Sequence, residues 1–175
     1  MIEFAGRWEL VAAAEEESID PRFADDTDED VLIVGTHRVQ SGEFNRRWLA
    51  GEVFTEEPPL APRTGLTLTI AEDGTFTERG AADVAWFDEE GALGGEAHPF
   101  DGTLATSPTG TFVLSAQGVQ AAAFADATDL RLRLDAGDTA ITDLVTVDGD
   151  GLVRIMSMLT DELYPSRVRL AYRRA

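Results

Sequence analysis

The sequence FAGRWEL at residues 4–10 is the stretch that most narrows the fold, because it opens a strand with a glycine and a tryptophan close together. Successive side chains of a strand point to opposite faces, so Gly6, Trp8 and Leu10 share one face. Gly6 has no Cβ atom and lets neighbouring groups approach closely, and the Trp8 ring is large enough to plug one end of a β-structure. An ordinary apolar core would explain the same tryptophan.

Most of the remaining chain alternates apolar and polar residues with period two, which predicts β-strands separated by turns. Asp73-Gly74 and the Asp-Gly-Asp-Gly sequence at 148–151 tolerate the positive φ angles of tight hairpins. The predicted strands are 6–14, 66–70, 75–79, 84–87, 102–105, 111–116, 119–125, 130–134, 139–147, 152–159 and 167–173. This all-β pattern predicts an antiparallel up-and-down barrel of about eight to ten strands, with a sandwich as the alternative.

Three stretches depart from this alternation. Residues 15–30 are dominated by acidic side chains and are predicted to form a solvated loop. Residues 39–50 space their apolar side chains as on a helix, which predicts a short helical insertion over one mouth of the barrel. The proline-rich residues 58–62 predict an extended linker before the main run of strands.

The charge balance excludes several functions. The chain has 33 Asp and Glu against 14 Lys and Arg, a formal net charge of −19. Nucleic acids and anionic membranes require basic surfaces, so we predict neither as a partner. All 14 of these basic residues are arginine, and cysteine is absent. These absences exclude lysine Schiff bases, thiol nucleophiles, disulfides and cysteine-based zinc sites.

The first residues lack the basic and apolar regions of a secretion signal, and no stretch has the length of a membrane-spanning helix. We therefore expect a cytoplasmic protein. At 175 residues the chain is long enough for a substantial core, and we predict one domain over residues 1–175. The sequence leaves the oligomeric state open, a homodimer included.

The two ends of the chain together resemble the lipocalin and calycin superfamily of β-barrels. In that superfamily an N-terminal Gly-x-Trp meets an arginine from the last strands. Gly6 and Trp8 match the motif here, and Arg169 is the predicted partner, with its guanidinium stacked on the Trp8 ring. The resemblance implies a cavity for a small molecule, with these three residues closing one end of the barrel as scaffold.

The lining of such a cavity depends on which strand faces point inward. The apolar face of the last strand, with Val168, Leu170 and Tyr172, is predicted to be inside. One face of 152–159 carries Arg154 among methionines; facing inward, Arg154 would suit a carboxylate or enolate, and facing outward it would only balance nearby acids. The predicted ligand-binding residues are Trp86, Phe112, Arg154, Met156, Met158 and Tyr172.

Other motifs are weaker. His98 lies between Glu96 and Asp101, which makes it a candidate acid–base or metal-binding group, although an exposed polar loop explains the same sequence. Residues 148–151 lack the ligand pattern of a calcium loop, and neither a phosphate-binding glycine loop nor a nucleophile elbow is present. We predict no metal and no cofactor.

Three functions fit these observations. The first is binding of a hydrophobic small molecule, neutral or anionic, inside the barrel. The second, implied by bacterial barrels of similar architecture, is a cofactor-independent, pericyclase-type cyclase of secondary metabolism, in which confinement of a flexible substrate supplies much of the acceleration. The third is an interaction module in which the acidic residues 15–30 dock on a basic partner. A fold alone does not distinguish them.

Overall fold

The computed structural model describes residues 5–16, 22–25, 28–80, 86–87, 93–94, 100–106, 112–116, 120–123, 130–133 and 139–175. Side chains are described for residues 5–16, 30–80, 142, 144–147 and 149–175. The secondary structure of these parts is mostly β-strand with one short helix, which confirms the all-β prediction.

The helix, α1 (Ser41–Leu49), lies within the predicted helical insertion 39–50 and confirms it. The strands in chain order are β1 (Gly6–Glu16), β2 (Arg22–Asp25), β3 (Asp28–Val34), β4 (His37–Gln40), β5 (Ala61–Pro62), β6 (Leu66–Ile70), β7 (Thr75–Gly80), β8 (Trp86–Phe87), β9 (Leu93–Gly94), β10 (Phe100–Thr106), β11 (Phe112–Ala116), β12 (Gln120–Ala123), β13 (Leu130–Arg133), β14 (Thr139–Asp148), β15 (Gly151–Thr160) and β16 (Tyr164–Arg174).

The main sheet is antiparallel, with the described strands in the order β11-β10-β7-β6-β1-β16-β15-β14-β13-β12 and with β5 attached to β1. Strand β11 also pairs with β14, so the sheet curls round on itself as a half-barrel. The first and last strands are neighbours, and Trp8 of β1 lies opposite Arg174 of β16. Two smaller sheets, β2-β3-β4 and β8-β9, complete the described strands.

The predicted hairpin turns are present. In the β6–β7 turn the Asp73 carboxylate accepts hydrogen bonds from the backbone N–H (2.9 Å) and the hydroxyl (2.7 Å) of Thr75. Gly74 has φ +85° in this turn, a value that glycine adopts without steric cost. The 148–151 sequence likewise forms the turn between β14 and β15, so it acts as a hairpin connection.

The inner face of the curled sheet carries one apolar core. Strict alternation produces it: in β6, for example, the first, third and fifth residues are buried. Val168, Leu170 and Tyr172 are on this face, as predicted. The buried members of the core are Trp8, Leu10, Ala13, Leu66, Leu68, Ile70, Phe76, Val145, Leu152, Met156, Met158, Val168, Leu170 and Tyr172. Full burial of each large apolar side chain contributes about 1.5–3 kcal/mol.

A second core lies on the outer face, where α1, β3 and β4 pack against the ends of β14 to β16. Its members are Leu32, Val34, Val39, Phe44, Trp48, Leu49, Phe54 and Leu159. Leu159 and the inward-facing Met158 are adjacent in β15, so the helix covers the outer face of that strand. The expectation that the insertion lies over a mouth of the barrel stays a prediction.

The acidic stretch 15–30 also differs from its prediction as a loop. Strand β1 continues to Glu16, and β2 and β3 occupy much of the remainder. Acidic residues are poor strand formers, but the apolar end of β3 buries Leu32 and Val34 in the outer core. The free energy gained by burying these two side chains therefore outweighs the low strand preference of the acidic residues, and the segment forms a strand.

Candidate functional site

Among the residues whose side chains are described, three buried ones carry polar groups into the inner apolar face. Glu78 is on β7, two residues after the buried Phe76, so alternation turns it inward. Arg154 is on β15 between the inward-facing Leu152 and Met156, and Tyr172 is at the inner face of β16. Period-two alternation therefore places a carboxylate, a guanidinium and a phenol on the same buried surface.

These three side chains are in direct contact. Arg154 Nη1 donates a hydrogen bond to Glu78 Oε2 at 2.6 Å, and the two side chains are only 2% and 1% exposed. The Tyr172 hydroxyl donates to the other carboxylate oxygen, Glu78 Oε1. Glu78 thus holds the centre of the cluster, which we call the interior triad.

The interior triad reaches across the curl of the sheet. In the strand order, β6, β1 and β16 separate β7 from β15. The Glu78–Arg154 ion pair therefore joins walls that do not share backbone hydrogen bonds. Any molecule held on the inner face at this level lies beside these polar groups.

Burial controls the protonation of the phenol. Loss of solvation raises the pKa of Tyr172 well above its usual value, and the negative charge of Glu78 raises it further, whereas the Arg154 cation opposes them. A hydroxyl with a raised pKa stays protonated at neutral pH. Tyr172 therefore acts as a neutral hydrogen-bond donor to Glu78.

The surroundings of the interior triad are apolar and adaptable. Met156 and Met158 are each 3% exposed and continue the Arg154 face of β15. Methionine has a flexible, polarisable thioether that fits irregular shapes better than branched side chains do. Of the two orientations left open for Arg154, the structure has the inward one, but with Glu78 as a carboxylate partner.

The end of the sheet near Trp8 is closed by packing. Trp8 is fully buried, and the Arg174 guanidinium lies over its ring at 4.3 Å from the centroid. The arginine predicted for this position, Arg169, is instead opposite Ala14 and donates to Glu57 at 2.8 Å. The assignment is corrected to Arg174 because register, which sequence does not reveal, decides which arginine meets Trp8.

Gly6 belongs to the same arrangement. An added Cβ atom at this position would lie 2.8 Å from Arg174 Nη1, and the residue has φ +146°. Arg174 Nη1 also donates to the Ala5 carbonyl at 3.0 Å. Gly6, Trp8 and Arg174 thus form one packed unit at the end of the curled sheet.

A second buried arginine was missed by sequence reasoning. Arg167, 1% exposed, is on the outer face and lies over the Trp48 ring at 3.7 Å from the centroid. Its three nitrogens donate to Ser157 Oγ at 2.9 Å, the Glu52 carbonyl at 3.1 Å and the Trp48 carbonyl at 2.8 Å. Burial lowers the pKa of Arg167 to about 10, which leaves it charged at neutral pH. No local sequence pattern indicates this contact, because Arg167 and Trp48 are 119 residues apart in the chain.

The remaining predicted residues are placed only in part. Phe112 lies opposite Val145 at the β11–β14 pairing, and Trp86 lies opposite Gly94 in the separate β8–β9 hairpin. Their side chains, and His98 altogether, lie outside the described residues. Among the residues that are described, no group of three or more histidines and acids could hold a metal ion. No described helix is long and apolar enough to cross a membrane.

Comparisons with protein-family models, with curated proteins and with solved structures find no match to this chain. The interior triad and the sheet that surrounds it are therefore the features of this chain that bear on its function.

Proposed function

We propose that this protein binds a hydrophobic small molecule on the inner face of its curled sheet, and that the sheet is a closed, lipocalin-like barrel. The strand pairings support a ring of this kind. One wall pairs in the order β1, β6, β7, β10 and β11, and β11 pairs with β14. The other wall continues through β15 to β16, which pairs again with β1. Barrels of about eight strands have room for one small ligand.

The single observation that carries the proposal is the interior triad. A buried ion pair adds little net stability, since well-packed apolar residues of similar volume are often as good or better. A contribution to folding stability therefore does not explain why Glu78 and Arg154 occupy buried positions. Polar groups placed among apolar walls are, by contrast, the usual composition of a small-molecule site.

The test uses N-phenyl-1-naphthylamine, a neutral apolar dye whose fluorescence rises in apolar surroundings. We expect saturable binding to the wild-type protein. Met156→Trp, which fills the inner face, should weaken dye binding about tenfold or more, because the ligand and the new ring compete for space. The control is Ile155→Trp, the next residue on the outward face of the same strand.

Thermal unfolding of both variants shows whether each is folded. Absence of saturable dye binding by the wild-type protein would contradict the proposal. Equal binding by folded Met156→Trp and Ile155→Trp variants would place the site away from the inner face.

A second candidate function, a cofactor-independent cyclase using the same interior, is favoured by the hydrogen bond from Tyr172 to Glu78. A phenol held against a carboxylate can donate or accept a proton near a confined substrate. Turnover of a linear polyene or polyketide precursor, lost in a folded Tyr172→Phe variant, would support the enzyme. Ligand recovered unchanged after binding would support the carrier.

A further inference from the structure

We propose that the ligand is a neutral molecule with a hydroxyl group, and that Glu78 is the residue that rejects carboxylates. This inference rests on the proposed binding function and adds the chemical class of the ligand. It replaces the expectation of an anionic ligand, which required Arg154 to act as an uncompensated cation.

The charges of the interior triad carry this inference. Glu78 and Arg154 are paired at 2.6 Å with both side chains almost fully buried, so their charges cancel where solvent screening is weak. Tyr172 is protonated and adds no charge. A carboxylate brought to Arg154 would also come close to Glu78, and like charges repel strongly in such surroundings.

The hydrogen-bonding groups point to a hydroxyl. A carboxylate has more acceptor positions than the two hydrogen bonds that Glu78 receives from Arg154 and Tyr172. The Tyr172 oxygen, which donates a hydrogen bond to Glu78 and also interacts with the Arg154 guanidinium, has a second acceptor lone pair. A ligand hydroxyl can donate to either of these oxygens, whereas an ionised carboxylate has no proton to donate.

The two probes are 1-dodecanol and dodecanoate, which differ in the end group and share the alkyl chain. Each is measured by displacement of N-phenyl-1-naphthylamine at neutral pH and fixed ionic strength. For the wild-type protein we expect dodecanol to bind about tenfold or more tightly than dodecanoate, the size of effect that a hydrogen bond to a charged group produces.

Glu78→Gln keeps the shape of the side chain and removes its negative charge. The ratio of the two affinities should then shift by about tenfold or more toward dodecanoate, since Arg154 loses the carboxylate at its Nη1 atom. The matched control is Glu9→Gln on the exposed face of β1, which changes the net charge equally and should leave the ratio unchanged.

Loss of one partner of a buried ion pair can unfold a protein, so a second variant is included. Glu78→Leu combined with Arg154→Met removes both charges and keeps apolar volume. We expect its affinity for dodecanol to fall about tenfold with dye affinity retained, because the hydroxyl loses the charged acceptor and keeps only the weaker, neutral oxygen of Tyr172.

The outcomes separate the two proposals. Dodecanoate binding as tightly as dodecanol to the wild-type protein would overturn the ligand class while leaving the binding function intact. An unchanged affinity ratio in folded Glu78→Gln, or unchanged dodecanol affinity in the double variant, would remove Glu78 from this role. Failure of the dye itself to bind would instead contradict the proposed function.

Discussion

At the scale of single residues, packing at one end of the curled sheet depends on the absence of a Cβ atom at Gly6. The Arg174 guanidinium occupies the space that a Cβ atom on Gly6 would need, and it also covers the Trp8 ring. A cation over an indole ring contributes about 0.5–2 kcal/mol, depending on how far it is desolvated. Gly6 therefore leaves the space in which the Arg174 guanidinium packs over the Trp8 ring.

Gly6→Ala should destabilise the protein by about 1–3 kcal/mol, through backbone strain at positive φ and displacement of Arg174. Urea unfolding followed by tryptophan fluorescence measures this change. The control is Gly42→Ala in α1, where an added Cβ would meet nothing within 4 Å. Since alanine favours helix, the control should gain about 0.5–1 kcal/mol. Equal stability of both variants would contradict the packing role of Gly6.

Tyr172 gives a prediction of pH dependence. Burial raises its pKa well above the usual 10.0, so the folded state binds this proton more tightly than the unfolded state does. The resulting stability is fully present below about pH 10 and is lost as the pH rises further. Tyr172 is the only tyrosine in a Tyr164→Phe variant, because the chain has two. Its phenolate absorbance should appear only as the protein unfolds; a rise in the folded protein near pH 10 would contradict burial.

At the scale of elements, Arg167 joins the helical insertion to the main sheet. Its donors reach carbonyl groups at and beyond the C-terminal end of α1, where a helix carries partial negative charge. The Trp48 indole N–H donates in return to the Met158 carbonyl at 2.8 Å. These contacts hold α1 on the outer face of β15 and β16.

Arg167→Leu should therefore destabilise the protein by about 2–4 kcal/mol, because buried carbonyls and Ser157 lose their partner. Hydrogen exchange of the α1 amides should accelerate more than that of the inner strands. Arg173→Leu, at an exposed position on the same face of β16, is the matched control and should change stability by less than about 0.5 kcal/mol. Unaltered exchange in α1 would argue against the joining role.

How much the sequence predicts differs between elements. Local patterns were sufficient to predict the β6–β7 hairpin and α1. Both the turn residues of a hairpin and the helical spacing of apolar side chains can be recognised within a short segment of sequence. Strand β3 was missed because burial of Leu32 and Val34 in the outer core outweighs the low strand preference of the acidic residues that begin it. For the candidate site, alternation placed Tyr172 on an inward face, whereas it left the orientation of Arg154 open until the structure showed it buried. The partner Glu78 was not predictable, because it comes from a strand that never pairs with theirs.

At the scale of the whole molecule, closure of the sheet decides whether the interior is an enclosed site. The described pairing between β11 and β14 joins Phe112 to Val145 and Val113 to Leu144. Because β11 and β14 pair with each other, neither has a free edge at this point. A ligand beside the interior triad would therefore be enclosed by strands on all sides. An open sheet would expose the same polar groups to water. Solvent screening would then weaken the repulsion between Glu78 and a charged ligand.

Closure can be tested with a disulfide, because the chain has no cysteine of its own. The Val113→Cys and Leu144→Cys pair should form an intramolecular bond on mild oxidation, since directly opposed strand residues are close enough to bridge. The oxidised protein should exceed its reduced form in stability by about 3–4 kcal/mol, through the constraint on the unfolded loop. Val113→Cys with Val153→Cys is the control, because β14 separates their strands. Equal bridging in both pairs, or none in the first, would mean that β11 and β14 do not close the sheet in solution.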